Sequence, residues 1–267
     1  MLVTNKFIML NFPKTGSSFA RKVIKRVYAN TLTGFSNSTI ICEELILPNI
    51  RNKVSKDKSD HHGTYCQIPP EYRNRKIVSI IRNPLDRFLS IYKYGAWKHS
   101  PPIPNNEVKK LFPKFPELEI DEFIEMQNES IKYRLGFEIK EFEIGIQSVQ
   151  LVQMFFRSPE IILKSIFNGS YSKSDVVSGI GDIKFLNQEY LREDLIRFLI
   201  SNGFNENELS FIRTEKASNI SDYETADKSI FVTDKLKLYL EDKEWLYNSI
   251  FKQVTITYWG QVNGVTP

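Results

Sequence analysis

The sequence predicts an α/β fold: a parallel sheet flanked by helices, followed by a mainly helical C-terminal half. Two observations carry this. Two apolar runs, Phe7-Ile8-Met9-Leu10 and Lys76-Ile77-Val78-Ser79-Ile80-Ile81, each lead through a polar turn into a helix-like segment. From residue 120 onward the pattern is mainly helical. A third observation bounds the size. With 267 residues, 41% of them hydrophobic and 25% charged, the chain suits one globular domain, 1–267, with a sizeable core.

The elements follow in order. Residues 6–30 read as strand, turn and helix, the turn being Phe12-Pro13-Lys14-Thr15-Gly16-Ser17-Ser18 and the helix-like segment Phe19 to Tyr28. Such a turn cradles a phosphate: it bares backbone N–H groups, the helix adds its positive dipole end, and Lys14 adds a full charge. It is not a Walker A loop, because its lysine precedes the glycine. Residues 49–62 are a polar, lysine-rich loop that runs into Asp60-His61-His62-Gly63. Residues 76–97 repeat the strand–helix pattern, and the buried-strand run 76–81 enters Arg82-Asn83-Pro84-Leu85-Asp86-Arg87-Phe88-Leu89-Ser90-Ile91-Tyr92. Pro84 sits where a first helical turn tolerates proline. Arg82 ends the strand and Ser90 lies about two turns into the helix, so that both can reach one anion. Residues 98–118 hold Pro101, Pro102, Pro104, Pro113 and Pro116 and read as an irregular excursion, a candidate acceptor lid. Helical segments follow near 120–134, 145–156, 188–202 and 233–252, and Ile183 to Leu186 is a further strand candidate.

The two motifs, in this order and each behind a strand, resemble those of the sulfotransferases that use 3′-phosphoadenosine 5′-phosphosulfate (PAPS). The first matches P-K-[ST]-G-[ST]-[ST] at Pro13 to Ser18, and the second matches R-x-P-x-x-R-x-x-S-x-Y at Arg82 to Tyr92. The resemblance implies a P-loop NTPase-like sulfotransferase fold. It implies that Lys14, Thr15, Gly16, Ser17 and Ser18 bind the 5′-phosphosulfate, and that Arg82 and Ser90 bind the 3′-phosphate that separates PAPS from ATP. It is specific over about residues 6–97. Beyond that, Phe185 to Leu195 resembles the family's strand followed by an E-x-L-x-x-D helix start. The glycine-rich basic C-terminal motif of the phenol and steroid enzymes is missing, which points to the carbohydrate-modifying and bacterial branches and leaves the adenine contacts unassigned.

Sulfuryl transfer is in-line, and its catalysis is mostly positioning and charge stabilisation. Lys14 is the natural cation for the bridging oxygen of the leaving 3′-phosphoadenosine 5′-phosphate (PAP); otherwise it is a solvated turn lysine. Ser17 or Ser18 also suits a helix N-cap. Arg87 either assists Arg82 and Ser90 or, as is favoured, pairs with Asp86 or a helix end. A base must take the acceptor's proton, and histidine is matched to that near neutrality. His62-Gly63-Thr64 resembles the bacterial H-[AG]-T pattern, which selects His62 with His61 as its rival. His99 is a weaker candidate for an acceptor contact, and Glu43 and Glu44 are the next bases. Lys216, Ser218 and Asn219 lie in a polar loop, read as plain surface before nucleotide contact. Gln147, Ser148 and Gln150 open a helix and are not chosen as ligand contacts.

Charge agrees with an anionic ligand. The net +4 divides into 20 basic against 7 acidic residues in 1–114 and 16 against 25 in the remainder. The basic half meets no helix-turn-helix, zinc-finger or RNP signature, so nucleic acid is not the expected partner. Cys42 and Cys66 have no metal-ligand spacing, and no metal is expected. The first strand starts almost at Met1 and no apolar run nears the ~20 residues of a membrane helix, so a cytoplasmic protein without membrane contact is expected. The acceptor is then a small metabolite or an intracellular glycan precursor. Two readings compete: a P-loop kinase-like NTP-dependent transferase, and a non-catalytic nucleotide- or polyanion-binding module.

Overall fold

The computed structural model of the protein describes residues 1–32, 41–52, 57–137, 139, 141–216 and 228–263, without the side chains of 31–32 and 257–263. Among them the strands are β1 (Leu2–Thr4), β2 (Phe7–Met9), β3 (Cys42–Glu44), β4 (Leu47–Pro48), β5 (Ser59–Asp60), β6 (Lys76–Ile81) and β7 (Lys184–Asn187). The helices are α1 (Ser17–Leu32), α2 (Pro84–Tyr94), α3 (Ala96–His99), α4 (Asn105–Leu111), α5 (Ile120–Leu135), α6 (Ile146–Phe155), α7 (Pro159–Phe167), α8 (Lys173–Ser178), α9 (Leu191–Ile200), α10 (Glu206–Leu209), α11 (Asp234–Asp242) and α12 (Trp245–Asn263).

Five strands form one sheet in the order β3-β1-β2-β6-β7, and β4 pairs with β5 separately. The expected parallel pairing holds for β2, β6 and β7, with Ile8 opposite Ile77 and Ile80 opposite Leu186. β1 and β3 extend the sheet antiparallel, so it is mixed. The two residues between β1 and β2 allow a hairpin and are far too few for a crossover. β1 escaped the periodicity argument because three residues define no period.

Side-chain alternation sorts the apolar residues between two cores. Phe7, Met9, Val78 and Ile80 face α1 and α9, while Ile8, Leu10, Ile77 and Ile81 face the helices of the other layer. Helix α1 offers Phe19, Ala20, Val23, Ile24, Val27 and Tyr28, a stripe at i, i+3 and i+4 spacing. Phe7 meets Phe198 of α9 edge-on at 4.9 Å between ring centres, and Phe12 meets Phe155 of α6 at 4.9 Å on the opposite side. Each such side chain, fully buried, contributes about 1.5–3 kcal/mol.

Helices α5, α6 and α9 lie where the sequence places them. The 233–252 segment is two helices, because the chain breaks at Lys243 and Glu244. The Lys243 carbonyl accepts from Gly145 N–H at 2.7 Å. The buried Glu244 carboxylate caps α6, accepting from Gln147 N–H (2.9 Å), Ser148 N–H (2.7 Å), Ser148 Oγ (2.8 Å) and Tyr239 OH (3.0 Å). Gln147 and Ser148 are thereby interior residues. The proline-rich segment is only partly irregular. It holds α4, and Ile103, Val108 and Leu118 are buried in the main core, with Tyr92 OH donating to the Leu118 carbonyl at 2.9 Å.

Candidate active site

The site forms where the chain leaves the C-terminal ends of β2 and β6, the usual place for a ligand on a parallel sheet. After β2 the turn closes on itself: Thr15 Oγ1 and Ser17 Oγ both donate to the Phe12 carbonyl, at 2.9 and 3.2 Å. Thr15 is fully buried and Ser17 nearly so. Their hydroxyls therefore shape the loop, and what they offer a ligand is chiefly backbone N–H. Gly16 has φ 88°, and a Cβ there would come within 2.9 Å of Leu191 Cδ2, so glycine is required twice over. Lys14 has φ 65°, a left-handed conformation that costs a non-glycine residue roughly 1–2 kcal/mol. It turns the side chain out of the loop, with Nζ 3.8 Å from the centre of the Tyr94 ring. The N–H groups of the first turn of α1 have no acceptor within the helix.

Arg82 ends β6. Its Nη1 reaches the Lys14 carbonyl at 3.5 Å, and its own carbonyl accepts from Tyr247 OH at 3.0 Å. Its Nε is buried without a hydrogen-bond partner. Burial and then the neighbouring Arg82 charge lower the Lys14 pKa. Among the described residues neither cation pairs with a carboxylate. Ser90 is half-buried two turns along α2. The Asn83 side chain caps that helix, accepting from Leu85 and Asp86 N–H at 3.0 and 3.3 Å.

Arg87 departs from expectation. Asp86 pairs with Lys228 at 2.6 Å instead. Arg87 is wholly buried, and it donates from Nε to the Pro13 carbonyl (3.1 Å), from Nη1 to Gln147 Oε1 (3.1 Å) and from Nη2 to Gln150 Oε1 (2.6 Å). It also stacks on Phe12 at 4.1 Å. Arg87, Gln147 and Gln150 are thus a strut between α2, α6 and the turn after β2. Sequence spacing missed it because the partners lie 60 to 74 residues away.

His62 is held against the end of β2. Its Nδ1 lies 2.6 Å from the Asn11 carbonyl, and its N–H donates to Asp60 Oδ1 at 2.6 Å. A carbonyl only accepts, so Nδ1 carries the proton and Nε2 keeps its lone pair, the tautomer a general base needs. Burial lowers the pKa of His62 to about 4. The Asn11 hydrogen bond opposes this, and the charges of His61 and Arg51 add to it. The ring of His61 lies beside it, tilted by 39°, with 4.1 Å between ring centres. The His61 carbonyl accepts from Asn11 Nδ2 at 2.8 Å, so the buried Asn11 fastens both histidines to the sheet. His61 is also lowered, by burial and then by Arg21.

The remaining candidates separate. Glu44 pairs with Arg21 and Lys25, whose hydrogen bonds and charges hold its carboxyl low despite burial, a poor state for a base. Glu43 and Lys216 are exposed, as is His99 at the end of α3. Ser218 and Asn219 lie outside the described residues. Asn187, which sequence reasoning missed, ends β7 beside the loop. It is buried, its Nδ2 has no partner, and its N–H donates to Asp194 Oδ2 at 2.8 Å. Asp194 closes the E-x-L-x-x-D stretch, and that spacing is the only sequence signal for it.

A comparison with known families matches residues 1–136 to the sulfotransferase family. That stretch is just over half of the chain and holds both motifs, both histidines and Arg87, so the chain belongs to the sulfotransferase family. No curated protein and no solved structure gives a significant match. Among the described residues no helix is long and apolar enough to cross a membrane.

Proposed function

We propose that the protein moves a sulfuryl group from PAPS to a hydroxyl or amine of a small metabolite or glycan, releasing PAP. The observation that carries this is the pairing of Lys14 with Arg82. Two cations that have no carboxylate partner among the described residues, one with a buried unpaired Nε, flank the loop and its N–H groups. A bound anion resolves that arrangement.

In this reading the amides of Thr15, Gly16, Ser17 and Ser18 receive the 5′-phosphate. Arg82 and Ser90 take the 3′-phosphate, Arg82 with its fork of donors. His62 Nε2 accepts the proton of the acceptor as its oxygen or nitrogen attacks sulfur. The bond from sulfur to the bridging oxygen breaks, and Lys14 stabilises the charge left on that oxygen. The chemistry asks for no metal, since Lys14 and the amides neutralise a sulfate of low charge.

Calorimetry with PAP, AMP and ATP tests the donor site. PAP is expected to bind at least tenfold tighter than AMP, and Arg82→Gln to remove the difference; equal affinities in the parent would overturn the assignment. Single-turnover transfer from labelled PAPS tests the base. His62→Ala is expected to keep PAP affinity and lose roughly 10²–10⁴ in rate. Lys14→Ala loses rate and donor affinity together, and His61→Ala is milder than His62→Ala. Transfer that stops in a chelator and returns with magnesium would favour the kinase-like reading.

A further inference from the structure

Arg134 carries a buried charge with nothing to balance it. It lies in the last turn of α5 and is 9% exposed. Among the described residues its one hydrogen bond runs from Nη1 to the Arg51 carbonyl at 3.1 Å, and no carboxylate pairs with it. Its Nε is buried without a partner. The C-terminal end of α5 offers it only a partial negative charge. Burial, and then the charges of Arg51 and Arg87, lower its pKa to about 9. A guanidinium kept in such a place is costly, and a bound anion offsets the cost.

The side chain lines a cleft of about 450 Å3 between the chain after β4, the end of α5, α6 and the start of α7. Charge in this cleft does not balance. Arg51, also in its wall, is already held by Asp60. Among the described lining residues the one carboxylate is Glu160, which is exposed at the rim. Arg134 is thus the charge left over, and it calls for a single negative charge. Gln153 of α6, in the same wall, has a buried Oε1 without a partner, so polar groups in want of partners come from two helices onto one cavity. Much of the remaining wall is apolar: Ile50 and Ile161 are exposed, and Leu163 is buried. Neither His62 nor Lys14 nor Arg82 lines the cleft, so a molecule held there is not placed to react.

We propose that this cleft is a second binding site, separate from the donor site, for a small organic monoanion: a carboxylic acid on an apolar body, held and not consumed. The acid lies against the Arg134 guanidinium, whose planar fork suits a carboxylate, with the Gln153 amide beside it. The body lies against Ile50, Ile161 and Leu163. This site stands whether or not the protein transfers sulfuryl groups.

The test is calorimetry with acids that carry no hydroxyl or amine to be sulfated, each paired with its amide: octanoate, phenylacetate and cyclohexanecarboxylate. PAP is present at saturation, so that Lys14 and Arg82 are not open to the probes. At least one acid is expected to bind at one site per chain, tenfold or more tighter than its amide. Arg134→Gln should erase that preference while PAP affinity stays within twofold of the parent. If Arg134→Gln does not fold, Ile161→Asp at the exposed mouth replaces it, and its added negative charge should weaken the acid and spare the amide. The proposal is overturned if no acid outbinds its amide, or if the preference survives the substitution. Inorganic phosphate binding as tightly as the best acid would also overturn it, because the apolar wall would then contribute nothing. Failure of PAP to bind would count against the sulfotransferase reading alone, and the Arg134→Gln comparison without PAP would still decide this site.

Discussion

His62 shows how a single residue is prepared by its surroundings. The Asn11 carbonyl fixes its tautomer and burial keeps it neutral, with a pKa near 4. The unfolded chain has a histidine pKa of about 6.5. Between those values the unfolded state binds a proton that the folded state refuses. The stability that goes with neutral His62 is thus present above about pH 6.5 and is lost as the pH falls toward 4. From pH 7.5 to pH 5 the loss due to this group should be about 1–2 kcal/mol. Urea unfolding of the parent and of His62→Gln at both pH values checks it. The variant should lose less stability than the parent, and parallel losses would mean that His62 is not held neutral. In the proposed mechanism the same low value keeps a neutral base available throughout the physiological range, with no acid limb in the rate near pH 6.

At the scale of elements, the turn at Pro13 to Ser18 borrows its rigidity. Its own bonds run from Thr15 and Ser17 to the Phe12 carbonyl, and Arg87 of α2 ties the Pro13 carbonyl to Gln147 and Gln150 of α6. Helix α6 is in turn held by Glu244. Arg87→Met keeps the bulk and removes five donors, leaving three carbonyl oxygens short of partners. It should cost about 2–4 kcal/mol of stability. Although Arg87 acts through the loop, PAP should bind roughly tenfold more weakly well below the unfolding temperature. Unchanged PAP affinity in a destabilised variant would reduce Arg87 to a packing residue.

At the scale of the whole molecule, ion pairs between the two halves offset part of the charge asymmetry of the sequence. Lys22 and Arg26 of α1 share Glu215, Lys98 meets Glu117, and Lys114 meets Glu122. Lys14, Arg82 and Arg134 are left out of this pairing. Helices from both halves cover both faces of the sheet, so the chain should unfold in one transition. PAP at about 100 times its dissociation constant should stabilise the fold by about 2.7 kcal/mol. For a chain of this size that raises the melting temperature by roughly 5–10 °C, with AMP at the same concentration doing far less. A scan with two transitions, or with PAP moving only one of them, would contradict this common core.

Local chemistry was enough to make some of this legible. The tight turn at Pro13 to Ser18, the turn at Arg82, the strands β2 and β6 and the helices α5, α6 and α9 can be read directly, because turn residues, strand-length apolar runs and helical spacing are properties of contiguous chain. The antiparallel β1 and β3 stayed hidden, since three-residue strands have no measurable period. The roles of Arg87, Asn11, Asn187 and Arg134 were hidden for a different reason. Each is defined by a partner, or by a missing one, on an element distant in sequence. Composition counts a lysine and an arginine alike as solvated charges. Only the packed structure decides which of them are paired on the surface and which are buried with nothing to hold.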